Sequence, residues 1–251
     1  MKTVKLISVI ALILLTVLEL KAKESYSSKQ YNDTKYDDKP KIITVNHKTY
    51  NSRSIIKVPF GMIKQVIADG MFTNGEWEDA LNYSIAENYE IYFKADTEIL
   101  CIGLKSVLPI GECVCEIRIT SDEKEVFLLH VSGELGEGVS GFPATTSFSV
   151  NKTKYWEANF SKSDTLKTKA WFDAGLPIEL YDGTYEKKDG IEFIINRKKF
   201  TNNSLKFTIG WITIEVKENN YVKNKYNYPE NASLKSADNW LDLILPTATN
   251  K

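Results

Sequence analysis

Apolar and polar residues alternate at every second position over several stretches of the chain, the period of a strand with one buried face. The clearest case is Cys113 to Thr120, where Cys113, Cys115, Ile117 and Ile119 share one face and Val114, Glu116, Arg118 and Thr120 the other. The first set is expected to face the core. Ile191, Phe193 and Ile195 alternate in the same way with Glu192, Ile194 and Asn196, and Leu205 to Val216 reads as one long strand. Tyr89 to Leu104 predicts two strands joined at Asp96-Thr97-Glu98. Further strands are expected at Lys41 to Val45, Ser54 to Phe60 (where Pro59 suits an edge or an end) and Glu125 to Val131. Lys154 to Phe160 with Thr168 to Phe172 forms another predicted pair, and Asp238 to Leu245 a closing strand that packs Trp240, or Leu241 and Leu243, inward.

Turn signals separate these runs. Asp69-Gly70 and Asn74-Gly75 stand close together, and Ser121 to Lys124, Asp182-Gly183 and Lys187-Lys188-Asp189-Gly190 follow. Glycine takes positive φ without a clash, and Asx side chains bond their own backbone. Gly133 to Gly141 holds four glycines and reads as a long mobile loop, and Tyr226 to Asn231 as a short polar one. No repeat occurs and no helical stripe exceeds two turns. Many short strands at this spacing predict an all-β fold, an antiparallel, jelly-roll-like β-sandwich of about nine to eleven strands.

The length of 251 residues suits one large β-domain, and an apolar share of 43% is enough for a sizeable core. Residues 1–22 read as a secretory signal: Lys2 and Lys5 precede an apolar run from Ile7 to Leu18 that is short for a membrane span, and Leu20-Lys21-Ala22 offers a cleavage site. An uncleaved anchor is the competing reading, and only that would tie the protein to a membrane. The protein is therefore expected to be secreted, periplasmic or at the cell surface. Residues 23–40 are polar and read as a flexible tether, leaving 41–251 as a single domain. Without residues 1–22, which hold three Lys and one Glu, 29 basic and 32 acidic residues remain, a charge of about −3. That balance argues against nucleic acid as a partner. Cys101, Cys113 and Cys115 lie on two predicted neighbouring strands, so a cross-strand bridge from Cys101 and three buried free thiols are both open.

The order of an Asp69-Gly70 loop, a Glu76-Trp77 corner and a hairpin with an Asp96-bearing turn resembles the opening of family 9 carbohydrate-binding modules and the related DOMON-like sandwiches. Gly190-Ile191-Glu192-Phe193-Ile194-Ile195 is similar to that family's penultimate-region strand. Tyr228-Pro229-Glu230-Asn231 followed by Asn239-Trp240-Leu241-Asp242 resembles its closing loop and last strand. The resemblance spans about residues 55–246 and departs most over residues 121–188. It implies a non-catalytic module that holds a polysaccharide or oligosaccharide between aromatic rings, with a structural calcium ion.

Sugar binding needs a flat apolar plate for the C–H face of a pyranose and polar groups for its hydroxyls. Trp171, Tyr181 and Tyr185 stand at loop-like edges and rank first as plates, followed by Trp156 and Tyr228, with Arg197 as a polar contact. Glu157, Asp173, Asp182 and Glu192 are further polar candidates, whereas Trp77 and Trp240 read as core. Asp69, Asn74, Glu76 and Asp79 cluster as oxygen donors for calcium, although plain turn formation explains the same residues. No Gly-x-Ser-x-Gly elbow is present, and His47 and His130 are far apart, so no catalytic residue is assigned. Haem, which would draw on Met62, Met71 and those two histidines, is not expected. The alternatives are an interaction or scaffold module of the cell surface that has lost its sugar site, and a component of a glycan-active hydrolase.

Overall fold

The computed structural model describes residues 42–50, 55–110, 113–150, 154–159, 188–217 and 220–247. Among these residues there are fourteen strands in two sheets and no α-helix. The larger sheet runs β1 (Ile42–Asn46), β13 (Asn220–Tyr228), β12 (Ser204–Lys217), β6 (Cys113–Thr120), β7 (Val126–Val131), β8 (Leu135–Ser140), β9 (Ser149–Val150). Beside the first part of β12 lies β14 (Leu241–Ile244), which also pairs with β2 (Ile55–Lys57). The smaller sheet runs β10 (Trp156–Ala158), β11 (Lys188–Asn196), β5 (Ile99–Ile110), β4 (Tyr89–Ala95), β3 (Leu81–Ala86). Pairing is antiparallel throughout except for β1 with β13 and β2 with β14.

The alternating patterns explain the layer between the sheets. Cys115, Ile117 and Ile119 face inward from β6, Ile191, Phe193 and Ile195 from β11, and Leu205, Phe207, Ile209 and Trp211 from β12. They meet Ile91, Phe93, Leu100, Ile102 and Leu104 of the hairpin, all buried. Phe93 of the smaller sheet meets Phe207 of the larger edge-on, with ring centroids 5.5 Å apart. Trp240 lies in a satellite cluster with Val126, Ala144 and Ala237, while its neighbours Leu241 and Leu243 enter the main core.

The outward face of the smaller sheet carries a second apolar layer, because residues 61–80 cross over it as a strap. Val66, Phe72, Trp77 and Ala80 of the strap pack on Tyr92, Ile99, Cys101 and Ile194 of the strands. The Phe72 ring stacks on Trp77 at 5.4 Å, directly over Gly103, where a Cβ would come within 2.9 Å of two Phe72 ring atoms. Polar anchors fix the strap to the sheet. Glu192, fully buried, accepts from the amides of Asp69 and Gly70 and from the Trp77 indole N–H. Glu76 accepts from the Ile67 and Thr73 amides. Gly103→Val would drive Phe72 off the sheet. A loss of about 1–3 kcal/mol is expected, with a red-shifted tryptophan emission from Trp77, both read in one urea titration.

Three sequence expectations change. Gly133–Gly141 holds a strand, β8, rather than a loop throughout. Lys188–Gly190 opens β11 with a register shift, where a turn was expected. Tyr226–Tyr228 completes β13. The strand β10 pairs with β11, and the expected partner at residues 168–172 lies outside the described residues. The cysteines are free: β5 and β6 belong to different sheets, Cys101 lies in the layer under the strap, and Cys115 lies between the sheets. Burial pushes the Cys101 thiol up to about 12, so it is held protonated.

Candidate functional site

The described candidate site lies at the β8–β9 edge of the larger sheet. After β8 the chain turns and runs back past it, and Ser149 and Val150 pair with Glu137 and Gly136. Between β8 and the returning segment lies a groove of about 360 Å³, lined by Glu137, Gly138, Val139, Thr145, Ser147, Phe148 and Ser149. Gly138 lines the groove, and Gly136 lies against the Phe148 ring. At Gly136 a Cβ would lie 2.2 Å from the Phe148 ring, and at Gly138 one would lie 2.3 Å from the Ser147 carbonyl oxygen. Their bare backbones let the returning segment sit close over the sheet.

Phe148 is the exposed ring of this groove, with 36% of its surface accessible. It is held from behind. The His130 ring stacks on it with centroids 3.9 Å apart and planes 15° apart. His130 is itself fixed, with Nδ1 3.1 Å from Glu116 Oε1 and Nε2 3.0 Å from Ser132 Oγ. The other carboxylate oxygen of Glu116 accepts from Arg118 Nη2 at 2.8 Å, and Arg118 Nε points to the Thr145 carbonyl at 3.4 Å. One carboxylate thus braces both ends of the returning segment. Partial burial of Glu116 would raise its pKa, but the His130 bond and the Arg118 charge outweigh it and hold the carboxyl below its usual value.

Glu137, in the groove wall, is also fully engaged. It accepts from the Trp156 indole N–H at 2.9 Å and from Lys199 Nζ at 2.5 Å. Lys199 lies over the Phe127 ring at 4.2 Å, and Phe127 meets Phe200 edge-on. The half-exposed Tyr155 stands beside Lys154 and Lys199, whose ammonium groups lie 5.1 and 5.8 Å from its ring centre. Among the described residues this edge combines two accessible rings, hydroxyls and paired charges.

The sequence-predicted plates are distributed differently. Trp171, Tyr181 and Tyr185, like Asp173 and Asp182, lie outside the described residues. Trp156 is buried against Phe193, with its indole N–H spent on Glu137, and Tyr228 is buried in the main core. A plate for a sugar must show a face to solvent, and neither ring does. Arg197 is buried as a clamp, donating to the Asp96 and Pro246 carbonyls and to Asn203 Oδ1. Glu192 anchors the strap and Glu157 is exposed on β10. Phe148, His130 and Glu116 were not singled out as a group. Their common row is a matter of register across β6, β7 and β8 (Glu116, His130 and Gly136 are successive partners), which no local sequence signal carries.

No family model matches the chain, and no curated protein matches it. Among solved structures it is similar to a "putative carbohydrate-binding protein" from Bacteroides uniformis ATCC 8492, at a TM-score of 0.35 and 7% identity, over 81% of this chain and 99% of that one. A likeness that distant carries no argument about ligand.

Proposed function

We propose that this is an exported, non-catalytic carbohydrate-binding β-sandwich that takes a neutral glycan in the groove between β8 and the returning segment. The observation that carries the reading is Phe148, a solvent-accessible ring held rigid by His130 in a groove lined with the hydroxyls of Thr145, Ser147 and Ser149. Ring stacking and hydroxyl pairing are the two components of sugar recognition, and a plate fixed before binding loses little entropy on capture. Charge supports a neutral ligand. Glu137 is paired with Lys199 and Glu116 with Arg118, so the described lining offers an acidic sugar no unspent cation and one carboxylate wall. Trp171, Tyr181 and Tyr185 belong to the same proposal as further plates.

Affinity electrophoresis through gels containing neutral or uronate-rich polysaccharides tests this. Retardation by a neutral polysaccharide is expected, with about a tenfold weaker effect for Phe148→Ala and little dependence on salt. Equal retardation of Phe148→Ala would remove the groove from the reading. A second reading, a cell-surface interaction module without a sugar site, draws on the burial of Trp77, Trp156, Trp211 and Trp240 in packing roles. Absence of retardation on every polysaccharide would favour it.

A further inference from the structure

We infer that the strap over the smaller sheet is built around a seat for a monovalent, ammonium-type cation, and that Lys94 fills this seat from within the chain. The clustering of Asp69, Asn74, Glu76 and Asp79 in the sequence suggests calcium at the same corner, and a seat filled by Lys94 departs from that expectation. Lys94 projects from the outward face of β4 and is fully buried. Its ammonium donates to the Met62 carbonyl at 3.1 Å, the Glu76 carbonyl at 2.5 Å and Asp79 Oδ1 at 2.9 Å. An ammonium has three N–H donors, and three oxygens receive them. The Trp77 ring lies 5.6 Å from the nitrogen and adds its negative face. Two backbone carbonyls, one carboxylate and an aromatic face make a seat for a single positive charge.

The donor set fails as a calcium site on two grounds. Calcium takes six to eight oxygens at close range, and most of the other candidate carboxylate oxygens are already bound within the protein. Glu76 gives its carboxylate oxygens to the Ile67 amide and to the amide and hydroxyl of Thr73. Asp79 Oδ2 accepts from the Met62 amide, Asp69 Oδ1 accepts from the Met71 amide, and Asn74 is exposed. A divalent ion would also have to share Asp79 with the fixed charge of Lys94. The seat joins both ends of the strap, residue 62 near its start and residues 76–79 at its end, to one strand. A mobile ion would do the same work only while bound. The covalently attached cation makes the corner's shape independent of calcium concentration and of chelators.

The test uses the full chain and needs no glycan. Thermal unfolding of the wild type is compared in calcium and in EGTA, with metal analysis of the dialysed protein. No shift between the two conditions and no stoichiometric calcium are expected. Lys94→Ala should unfold several degrees lower, and ammonium or methylammonium chloride should restore part of that loss where tetramethylammonium chloride and calcium chloride do not. Lys94→Met, which keeps the aliphatic stem in the seat, should be equally destabilised and unresponsive to ammonium. A wild-type midpoint that rises with calcium and falls with EGTA would overturn the inference, as would a Lys94→Ala protein that calcium rescues and ammonium does not. If Lys94→Ala does not fold at all, the wild-type calcium comparison still decides.

Discussion

Phe207→Ala should lower the unfolding free energy by about 3–5 kcal/mol, the range for deleting a large ring from a closed core. Phe207 is fully buried in the first part of β12, and its ring meets that of Phe93 from the opposite sheet at a near-perpendicular angle. Its Cα partner on β6, Ile119, and its partner on β14, Leu241, are also buried, so no flexible side chain is at hand to fill the space. The effect should be read as a lower denaturant midpoint with an unchanged slope, because the folded state keeps its layers. Val139→Ala is the matched control. It sits on β8, beside the edge strand β9, with 51% of its surface exposed, and it should change stability by less than about 0.5 kcal/mol. Equal effects at the two positions would contradict a core lying between the sheets.

Stability should fall by about 3 kcal/mol as pH rises from the ordinary carboxylate range through neutrality, and Glu192 is the source. Burial raises its pKa; the Trp77 indole and Gly70 amide pull it down, and the Glu76 and Asp69 charges push it up, leaving it at about 7 against an ordinary 4.5. Below pH 4.5 both folded and unfolded chains hold the proton. Between 4.5 and 7 the folded chain holds it and the unfolded chain does not, so raising the pH favours unfolding until both have lost it. Glu116 and Asp79 act in the opposite sense and in another window. Their carboxyls are held below the usual values, so their contributions are present above those values and are lost in more acidic solution. Stability should therefore peak near pH 4.5 and decline from there to about pH 7. Glu192→Gln removes the titration and keeps an oxygen for one donor, so its urea midpoint should be flat from pH 5 to 8. A wild-type slope that persists in Glu192→Gln would assign the effect elsewhere.

The strands with a strict period of two were legible in the sequence because one face of each is buried and the other is not. The inward residues of β6, β11 and β12 are those the alternation picked out. The hairpin of β4 and β5 was legible for the same reason, with Asp96 accepting from the Glu98 and Ile99 amides in its turn. The strand β8 was not, because Gly136 and Gly138 stand on the face where Phe148 and Ser147 close in, so close approach had replaced the side chains that mark a strand. The strand β13 hid behind lysines and asparagines. Among the residues whose burial is described, only its inward Val222, Tyr226 and Tyr228 are buried apolar residues, and Asn224 occupies the position between Val222 and Tyr226, bonded to His47. Sheet membership was a further blind spot. Consecutive strands usually pair, yet β5 and β6 part into different sheets, which separates Cys101 from Cys115. The Glu76-Trp77 corner was visible as a feature, but its partners Lys94 and Glu192 are distant in sequence. The candidate groove depends in the same way on cross-strand register.

Mapping ligand contacts residue by residue tests the functional account most directly. In an isotope-labelled sample, titration with neutral oligosaccharides should shift the amide resonances of Gly136, Gly138, Thr145, Ser147, Phe148 and Ser149 together, saturably, and with the His130 ring signals following. The same sugars should leave the strap residues 61–80 unmoved. Saturable shifts elsewhere with these six amides silent, or no shifts with any neutral sugar, would contradict it.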